Sequence, residues 1–418
     1  MRPALGFCPW LAFLRRALVR LLLVFFDMAE RVPAPRPDPT DRDLTWFWAG
    51  PTGASGIGGA AVERFGFVGL PNSGKSSLFN ALVGGGALAV PYAFATTDAN
   101  VGMARIPDSR LERLGAMSRS ADVVPTTVEF TDIGGLVEGA ARGEGLGNRF
   151  LAGIREVDAI VYVLRAFGDP DIPGSTDPLE NLRVLEVELA LADLETCERQ
   201  LEKQQRSVKA DPSLAPVVEV VGRAVKQLAD GVPLYRGDLE EADRELLRRF
   251  FLLTDKPVLA VVNLDEDQLD DPGAVLAPVV AEMGGADAVA MCIQLEAEAA
   301  VLADDEQSEI LEGLGLGEGA LPRFAHAAHH LLGLRTFFTT GEKESRGWTF
   351  RAGSTAPECA GRIHTDFQRG FIRAETIGWD ALLEKGSWLG AREAGLVRSE
   401  GKEYRPVDGD VMEFRFNV

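Results

Sequence analysis

The feature that most constrains the fold of this chain is a glycine-rich turn between a short apolar run and a helical pattern. The apolar run spans residues 64–68, and the sequence that follows it, with the spacing GxxxxGKS, is Gly69-Leu70-Pro71-Asn72-Ser73-Gly74-Lys75-Ser76. Glycines let a backbone curl so that successive amides point at a phosphate, and the next helix adds its positive N-terminal end. A strand that enters a helix through such a turn predicts an α/β domain with a parallel sheet.

Each residue of this turn has a predicted role at a nucleotide. Lys75 is expected to reach the β- and γ-phosphates and Ser76 to ligate Mg²⁺, as the equivalent residues of this motif do in P-loop proteins. We therefore predict that Lys75 is catalytic and that the phosphates lie against Asn72, Ser73, Gly74, Lys75, Ser76 and Ser77. A glycine-rich turn without a ligand is the alternative, and further nucleotide motifs downstream would argue against it.

The downstream sequence contains such motifs, each where an apolar run ends. The run at 126–131 leads into a DxxG motif, Asp132-Ile133-Gly134-Gly135. We expect Asp132 to hold a water molecule of the Mg²⁺ ion and the Gly135 amide to approach the γ-phosphate, which makes Gly135 a predicted catalytic residue. Thr96 lies between the two motifs, where a switch threonine closes over the metal. The predicted metal ligands are Ser76, Thr96 and Asp132.

Three further apolar runs complete the pattern, at 159–164, 257–262 and 288–293. The second of them ends at Asn263-Leu264-Asp265-Glu266, where guanine-specific P-loop proteins carry Asn-Lys-x-Asp. The predicted base-binding residues are therefore Asn263, Leu264 and Glu266. Because ligand contacts gather at the carboxyl ends of the strands in open α/β sheets, this order of motifs predicts a nucleotide hydrolase.

The length of one side chain predicts the base preference. An aspartate in the last position of Asn-Lys-x-Asp accepts two hydrogen bonds from guanine, one from N1–H and one from the N2 amino group. Glu266 is one methylene longer and Leu264 replaces the lysine. This arrangement does not fit the guanine geometry, whereas adenine needs only an acceptor for its N6 amino group. We expect ATP to be preferred over GTP, and a GTPase is the alternative.

Hydrolysis by the isolated protein is expected to be slow. Ras-like GTPases place a glutamine directly after DxxG to orient the attacking water, and this chain has Leu136 there. A leucine side chain has no polar atom with which to hold water. Another group must therefore position the water molecule.

A helical hairpin is predicted between the runs at 159–164 and 257–262. Leucines recur at near-helical spacing from residue 177 to about 209, a break follows at 211–212, and a second helical run spans 214–228. This pattern predicts two antiparallel helices within an insert at about 177–250. Basic residues near its tip indicate either a partner-binding arm or an ordinary solvated helix surface; they are Arg199, Lys203, Arg206 and Lys209.

The charge distribution limits the partners. The net charge is −20, from 43 Lys and Arg against 63 Asp and Glu. The acidic excess lies in residues 62–334, whereas residues 335–418 contain equal numbers of acidic and basic residues. A general nucleic-acid-coating protein is basic, so this class is excluded and we expect no DNA partner. Contacts with RNA are expected from the near-neutral C-terminal part.

The cysteines bear on the cellular compartment. The four cysteines lie far apart and form no CxxC pair, so we predict no zinc ribbon or redox motif and expect a cytoplasmic location.

Residues 1–61 differ from the rest of the chain. Their apolar stretch is interrupted by Arg15, Arg16 and Arg20, and this stretch is too charged for a membrane span. Three interpretations stay open for them: a start placed too far upstream, a disordered extension, or a membrane-surface helix.

Together these motifs resemble those of the YchF/Obg-like ATPases, a family of the translation-factor P-loop class. The resemblance runs from about residue 64 to 418 and includes the three motifs above, the glycine-rich stretch at 143–148 and the C-terminal stretch from 361–367 to 409–412. It implies a P-loop NTPase G domain at 62–334, interrupted by the helical hairpin. It also implies a TGS domain, a small β-grasp module, at 335–418.

The resemblance further implies an activity and partners. Members of this family prefer ATP to GTP and bind ribosomes, as the large subunit and as 70S particles. We therefore expect a Mg²⁺-dependent, ATP-hydrolysing switch that acts as a cytoplasmic monomer without a membrane partner. The alternatives are an Obg-type GTPase and a nucleotide-gated regulatory scaffold whose hydrolysis is incidental.

Two residues bear on how the resemblance explains water positioning. Asn72 matches an asparagine that helps to ligate K⁺ in several related NTPases, where the ion substitutes for an arginine finger, so Asn72 is a further predicted catalytic residue. The family also carries a histidine in the loop after the 159–164 run, but residues 167–174 of this chain contain none. We therefore expect stimulation by K⁺ or a partner rather than a histidine-assisted mechanism.

Overall fold

The computed structural model describes residues 63–83, 101–133, 146–169, 171, 173–302, 304–314 and 316–417. They belong to the compact unit Ala54–Val418; the other unit, Met1–Gly53, lies outside the described residues. The expectations for residues 1–61, Thr96, Gly135 and Leu136 also fall outside them.

The strands and helices are numbered here along the chain. The strands are β1 (Arg64–Val68), β2 (Val101–Ile106), β3 (Asp122–Val124), β4 (Thr126–Asp132), β5 (Ala159–Arg165), β6 (Val258–Asn263), β7 (Ala288–Met291), β8 (Leu334–Thr340), β9 (Glu344–Arg351), β10 (Phe371–Gly378), β11 (Arg398–Glu400) and β12 (Asp410–Phe416). The α-helices are α1 (Lys75–Val83), α2 (Ser109–Ser118), α3 (Leu146–Glu156), α4 (Pro178–Ser207), α5 (Ala215–Ala229), α6 (Glu241–Leu247), α7 (Pro272–Glu282), α8 (Ile293–Ala299), α9 (Asp304–Gly313), α10 (Leu321–Leu331), α11 (Ala356–Ile363), α12 (Thr365–Arg369), α13 (Trp379–Lys385) and α14 (Trp388–Glu393).

The first sheet contains the strands that the apolar runs predict. Its spatial order is β2-β4-β1-β5-β6-β7, and every neighbouring pair is parallel except β2 with β4. Strands β5 and β6 are buried along their whole length, as expected for a parallel sheet with helices on both faces. This topology brings the carboxyl ends of β1, β4 and β6 to one edge, where the predicted motifs lie.

Each face of this sheet has its own hydrophobic core. On one face, Phe67 stacks on Phe130 at 5.3 Å, and Phe324 of α10 covers the pair. On the other face, Tyr162 and its neighbours on β5 pack against α4 and α7. The two cores hold the strand ends, and the site they carry, in a fixed relation.

The helical hairpin is present in the insert. Helix α4 begins after Asp177, whose carboxylate accepts the Leu179 amide, and Pro178 occupies its first turn. A short 3₁₀ turn, Pro212–Leu214, separates α4 from α5, and the two helices share a core that includes Cys197, Val221 and Ala224. The predicted helical pair is therefore confirmed, with α5 displaced by one residue from the predicted run.

The C-terminal residues form a second, mixed sheet. Its spatial order is β11-β10-β12-β8-β9-β3. Adjacent residues on one strand serve opposite faces: Phe337 packs with α11 in one core, and Phe338 packs with α13 in the other. This arrangement agrees with the small β-grasp module expected for residues 335–418.

The second sheet also contains chain from the first domain. Strand β3 pairs in parallel with β9, and Leu111 and Leu114 of α2 are buried in the core that contains Phe338. Both elements come from the connection between β2 and β4. The predicted boundary lies between residues 334 and 335. The structure shows in addition that residues 109–124 pack with the C-terminal sheet.

Candidate functional site

The glycine-rich turn joins β1 to α1 as predicted. Asn72 and Gly74 have φ angles of +61° and +100°, in the left-handed region that asparagine and glycine tolerate. The Leu78 amide donates to the Gly74 carbonyl at 2.9 Å, so helical hydrogen bonding begins directly after the turn. The free amides at the start of α1 therefore face the space enclosed by the turn, where a phosphate would bind.

Lys75 is held across this turn. Its Nζ donates to the carbonyl oxygens of Gly69 at 2.9 Å and Leu70 at 2.8 Å. An ammonium group has three N–H donors, so one more is left for a phosphate oxygen. Burial lowers the pKa of Lys75, and the nearby Asp132 carboxylate opposes that shift. The lysine is thus positioned before any ligand arrives.

Ser76 and Asp132, two of the predicted metal ligands, meet at the edge of the sheet. Strand β4 runs parallel to β1 with Phe67 opposite Asp132, which places the aspartate beside the P-loop. The Ser76 hydroxyl donates to Asp132 Oδ2 at 2.7 Å. A hydroxyl and a carboxylate are hard oxygen donors of the kind that Mg²⁺ prefers. The third predicted ligand, Thr96, and the predicted catalytic Gly135 lie outside the described residues.

Asn263 connects the base-binding region to the P-loop. Its buried side chain donates from Nδ2 to the Ser73 carbonyl at 3.1 Å and accepts the Ile293 amide on Oδ1 at 3.1 Å. A Cβ atom on Gly74 would lie only 2.5 Å from this Nδ2. Both amide groups of Asn263 are therefore engaged in holding the site together, a role that its position in the motif did not predict.

The other predicted base-binding residues differ in access. The Leu264 side chain is only 1% exposed and packs in the core beneath the sheet, so only its main chain can contact a nucleotide. Glu266 is exposed at the start of the 3₁₀ helix Glu266–Asp270, and its amide donates to Asp265 Oδ1. Glu266 therefore presents the exposed carboxylate of this motif, whereas the Asp265 carboxylate is half-buried and accepts the Glu266 amide.

The predicted phosphate-binding side chains also divide into two groups. Asn72, Ser76 and Ser77 are exposed along the turn and the first turn of α1. The Ser73 hydroxyl is buried and has no hydrogen-bond partner in the described part of the chain. The Ser73 amide is engaged within the turn, since it donates to the Leu70 carbonyl at 3.3 Å.

Sequence reasoning missed the role of Arg165, the last residue of β5. This buried side chain donates to the carbonyls of Phe167 at 3.1 Å and Pro173 at 3.2 Å, and its guanidinium lies 4.6 Å from the Phe167 ring. The amides of Ala166 and Phe167 in turn donate to the Asn263 carbonyl. An arginine at the end of an otherwise apolar strand was the available signal that the following loop is held against the site.

Two other kinds of structure, a metal cluster and a membrane-spanning helix, are absent from the described residues. Across residues 63–417, apart from the gaps given above, no cluster of three His, Cys, Asp or Glu side chains has the arrangement of a metal site. Over the same residues, no helix combines the length and apolar character needed to cross a membrane. The nucleotide site at the sheet edge is thus the candidate on which the described residues converge.

Two family models match the chain. The MMR_HSR1 model, described as a 50S ribosome-binding GTPase, matches residues 64–264. The YchF-GTPase_C model, described as a protein of unknown function, matches residues 334–417. The first covers the P-loop, DxxG and Asn263-Leu264 positions, and the second covers the C-terminal sheet except β3.

Curated relatives and a solved structure match most of the chain. The ribosome-binding ATPase YchF of Bacillus subtilis is 45% identical over 361 residues, which is 84% of this chain and 99% of that protein. The protein of the same name from Escherichia coli O157:H7 is 43% identical over 360 residues, 85% of this chain and 99% of that protein. The structure of the Schizosaccharomyces pombe YchF GTPase superposes with a TM-score of 0.75 at 30% identity and covers 85% of this chain and 98% of that chain. The expected P-loop fold with a TGS-like C-terminal domain is thereby confirmed, and the chain belongs to the YchF family.

Proposed function

We propose that this chain is a Mg²⁺-dependent ATPase that binds ribosomes and uses hydrolysis as a translation-associated switch. The observation that carries the enzymatic part is the meeting of Lys75, Ser76 and Asp132 at one sheet edge, with Lys75 already fixed on two carbonyl oxygens. Ribosome binding is proposed because the relatives are named ribosome-binding ATPases. ATP is favoured over GTP by Glu266, as argued from its length.

Catalysis in this site is electrostatic. The remaining N–H donor of Lys75 and the amides of the turn stabilise negative charge on the transferring phosphoryl group. Because these donors are fixed by the P-loop and by Asn263, they need little reorganisation when the charge develops. The attacking water must be positioned by a group other than Leu136, whose side chain has no polar atom.

The residues present fit a Mg²⁺ ion. Ser76 Oγ and the Asp132 carboxylate would hold it, directly or through a water molecule, and Thr96 is the proposed third contact. When bound, the ion neutralises charge on the phosphate oxygens. The protein's own contribution is to keep the two oxygen donors together at the end of β4.

Asn72 is the proposed contact for K⁺. Its side chain is exposed at the P-loop, and its backbone is left-handed. We expect faster ATP turnover in K⁺ buffer than in Na⁺ buffer of equal ionic strength; equal rates in the two buffers would remove K⁺ from the proposal.

The base preference is tested by calorimetry with non-hydrolysable ATP and GTP analogues in the presence of Mg²⁺ and K⁺. We expect ATP-analogue binding at least tenfold tighter, about 1.4 kcal/mol. Glu266→Asp shortens the carboxylate and should reduce this preference. Asp267→Glu is the matched control, because Asp267 is the neighbouring exposed carboxylate of the same 3₁₀ helix. Equal or tighter GTP-analogue binding by the unaltered protein would make an Obg-type GTPase the better description.

The ribosomal contact is proposed for the C-terminal part, since it lacks the acidic excess of the first domain. Several of its arginines are already paired: Arg362 donates to Glu63 at 3.1 Å and Arg373 to Glu375 at 3.5 Å. The contact is therefore expected to depend on local shape and hydrogen bonding more than on unpaired positive charge. ATP turnover that accelerates when ribosomes are added supports the proposal. Unchanged turnover on ribosomes that do bind would favour the nucleotide-gated scaffold.

A further inference from the structure

The connection between β2 and β4 is shared by the two sheets. It leaves the first sheet at Ile106, forms α2 and β3 within the second sheet and its core, and returns at Thr126. Both strands that it joins belong to the nucleotide-binding sheet and pair with each other from Val101 opposite Thr131 to Ile106 opposite Thr126.

A cluster of hydroxyl groups fixes this connection to the β8–β9 hairpin. Ser345 Oγ lies 2.7 Å from Ser120 Oγ and 2.6 Å from Thr340 Oγ1, and Thr340 also donates to Ser118 Oγ at 2.7 Å. Ser345 is completely buried. Hydrogen bonds between buried hydroxyls are directional, and breaking them leaves unpaired polar groups, so the cluster opposes sliding of β3 along β9.

An ion pair fixes the other end of the connection. Arg110 of α2 donates to Asp408 at 2.6 Å, and its guanidinium lies 5.1 Å from the Phe338 ring. Asp408 also accepts the Thr336 amide at 2.8 Å. The helix is therefore joined to β8 and to the turn before β12 at the same time.

Strand β4 connects the C-terminal sheet to the nucleotide site. Thr126, at its start, lies against Gly347 of β9, where an added Cβ atom would come within 3.0 Å of Thr126 Cγ2. Asp132, at its end, accepts the Ser76 hydroxyl. The strand has seven residues and spans about 20 Å at ~3.3 Å per residue. One hydrogen-bonded element thus contacts the C-terminal sheet at one end and the proposed metal site at the other.

We propose that α2, β3 and β4 couple nucleotide binding at the P-loop to the conformation of the C-terminal sheet. The coupling rests on the proposed function only in requiring that the site binds a nucleotide. A ligand that changes the position of Asp132 acts on β4. Strand β4 contacts β9 through Thr126, and the connection that leads into β4 is fixed to the β8–β9 hairpin by the hydroxyl cluster. Because coupling between two sites is reciprocal, a change at the C-terminal contact that alters the balance of conformations is expected to alter nucleotide affinity as well.

The reciprocal effect is tested with the full chain and calorimetry of a non-hydrolysable ATP analogue. Arg110→Ala and Asp408→Asn each remove the ion pair, and neither residue belongs to the P-loop. We expect each variant to change analogue affinity at least fivefold. Arg392→Ala is the matched control, since the Arg392 side chain pairs with Glu375 and Glu413 inside the C-terminal part rather than with a residue of the β2–β4 connection; it should change affinity less than twofold. Wild-type affinity in both Arg110→Ala and Asp408→Asn would contradict the coupling.

Hydrogen exchange on the unaltered protein tests the same proposal without any risk of misfolding. We expect the ATP analogue to change amide protection in β3 and β9 as well as in the P-loop, while α5, which packs in a separate core, stays unchanged. Analogue binding with protection changes confined to the P-loop would overturn the coupling and leave the proposed function standing. Absence of nucleotide binding would overturn both.

Discussion

A single amide side chain, that of Asn263, connects segments that a nucleotide site needs in a fixed relation. The side chain bonds to Ser73 in the P-loop and to Ile293 at the start of α8, while the main-chain carbonyl of the same residue accepts the amides that begin the loop after β5. These contacts are buried, so each is costly to break. The residue therefore acts by positioning as well as by any contact with the base.

We predict that Asn263→Ala destabilises the fold and weakens nucleotide binding. The substitution leaves the Ser73 carbonyl and the Ile293 amide unpaired in a buried site, which costs about 1–3 kcal/mol for each unsatisfied group. Chemical denaturation and calorimetry with an ATP analogue measure the two effects. Asn263→Asp is the informative partner variant, because it keeps the acceptor for Ile293 and loses only the donor to Ser73. An Asn263→Ala protein with unchanged stability would contradict the positioning role.

Lys75 gives a second prediction at the residue scale. Lys75→Ala should lower ATP turnover by about 10²-fold or more, since it removes a fixed donor to the transferring phosphoryl group. Lys256 offers a matched control: it is also a partly buried lysine whose ammonium donates to carbonyl oxygens, those of Arg155 and Val157, but it lies at the opposite end of β5 from the site. Single-turnover assays should show normal hydrolysis in Lys256→Ala. Equal losses in both variants would mean that turnover reports stability rather than chemistry.

At the scale of elements, α10 combines core packing with a buried titratable group. Its Phe324, Ala325 and Ala328 pack against the first sheet, and His329, 4% exposed, is buried beside them. Burial lowers the pKa of His329 to about 4, and the nearby positive charge of His330 adds to that shift. His326 and Arg335 lower the pKa further, whereas Asp408 raises it.

This depressed pKa predicts an acid-sensitive helix. In the unfolded chain a histidine protonates near pH 6.5, whereas in the folded protein His329 stays neutral until about pH 4. Its contribution to stability is therefore complete above pH 6.5 and is lost as the pH falls towards 4, by about 3 kcal/mol in total. His329→Phe should flatten the dependence of unfolding free energy on pH over that range. His330→Phe removes only the smaller contribution of the exposed neighbour and should flatten the slope less than His329→Phe does; identical slopes in all three proteins would contradict the assignment.

The helical and parallel-strand elements could be predicted from the sequence because their signals are local. A continuous apolar run such as 258–263 followed by a polar motif identifies a buried strand and its functional end. Strand β3 gave no such signal, since it has three residues and its partner β9 lies more than 200 positions away. The burial of Leu264 and the bonds of Asn263 were likewise unpredictable, because they depend on which neighbouring segment the fold places beside them.

At the scale of the whole molecule, the two sheets are interlocked rather than joined by one linker. The chain passes from the first sheet to the second at α2 and β3, returns through β4, and enters the second sheet again at β8. Arg351 and Arg362 of the C-terminal part also pair with Glu63, next to β1. Consequently, the C-terminal sequence and the C-terminal folding unit are different sets of residues.

This difference predicts that residues 334–418 do not fold alone. A fragment with these bounds lacks β3 and leaves uncovered the face on which Leu111 and Leu114 pack against Phe338, Ile377 and Val411. Loss of each buried leucine costs about 2–5 kcal/mol by comparison with leucine-to-alanine substitutions. The two losses together are comparable to the whole free energy of unfolding of a small domain. We expect the fragment to show no cooperative thermal transition. The same fragment with residues 107–125 attached through a flexible linker should melt cooperatively, and a linked version carrying Leu111→Ala and Leu114→Ala should again fail. If the unlinked fragment melts as sharply and at the same temperature as the linked one, α2 and β3 are accessory to a sheet that is complete without them, and the rigid connection on which the proposed coupling depends is lost.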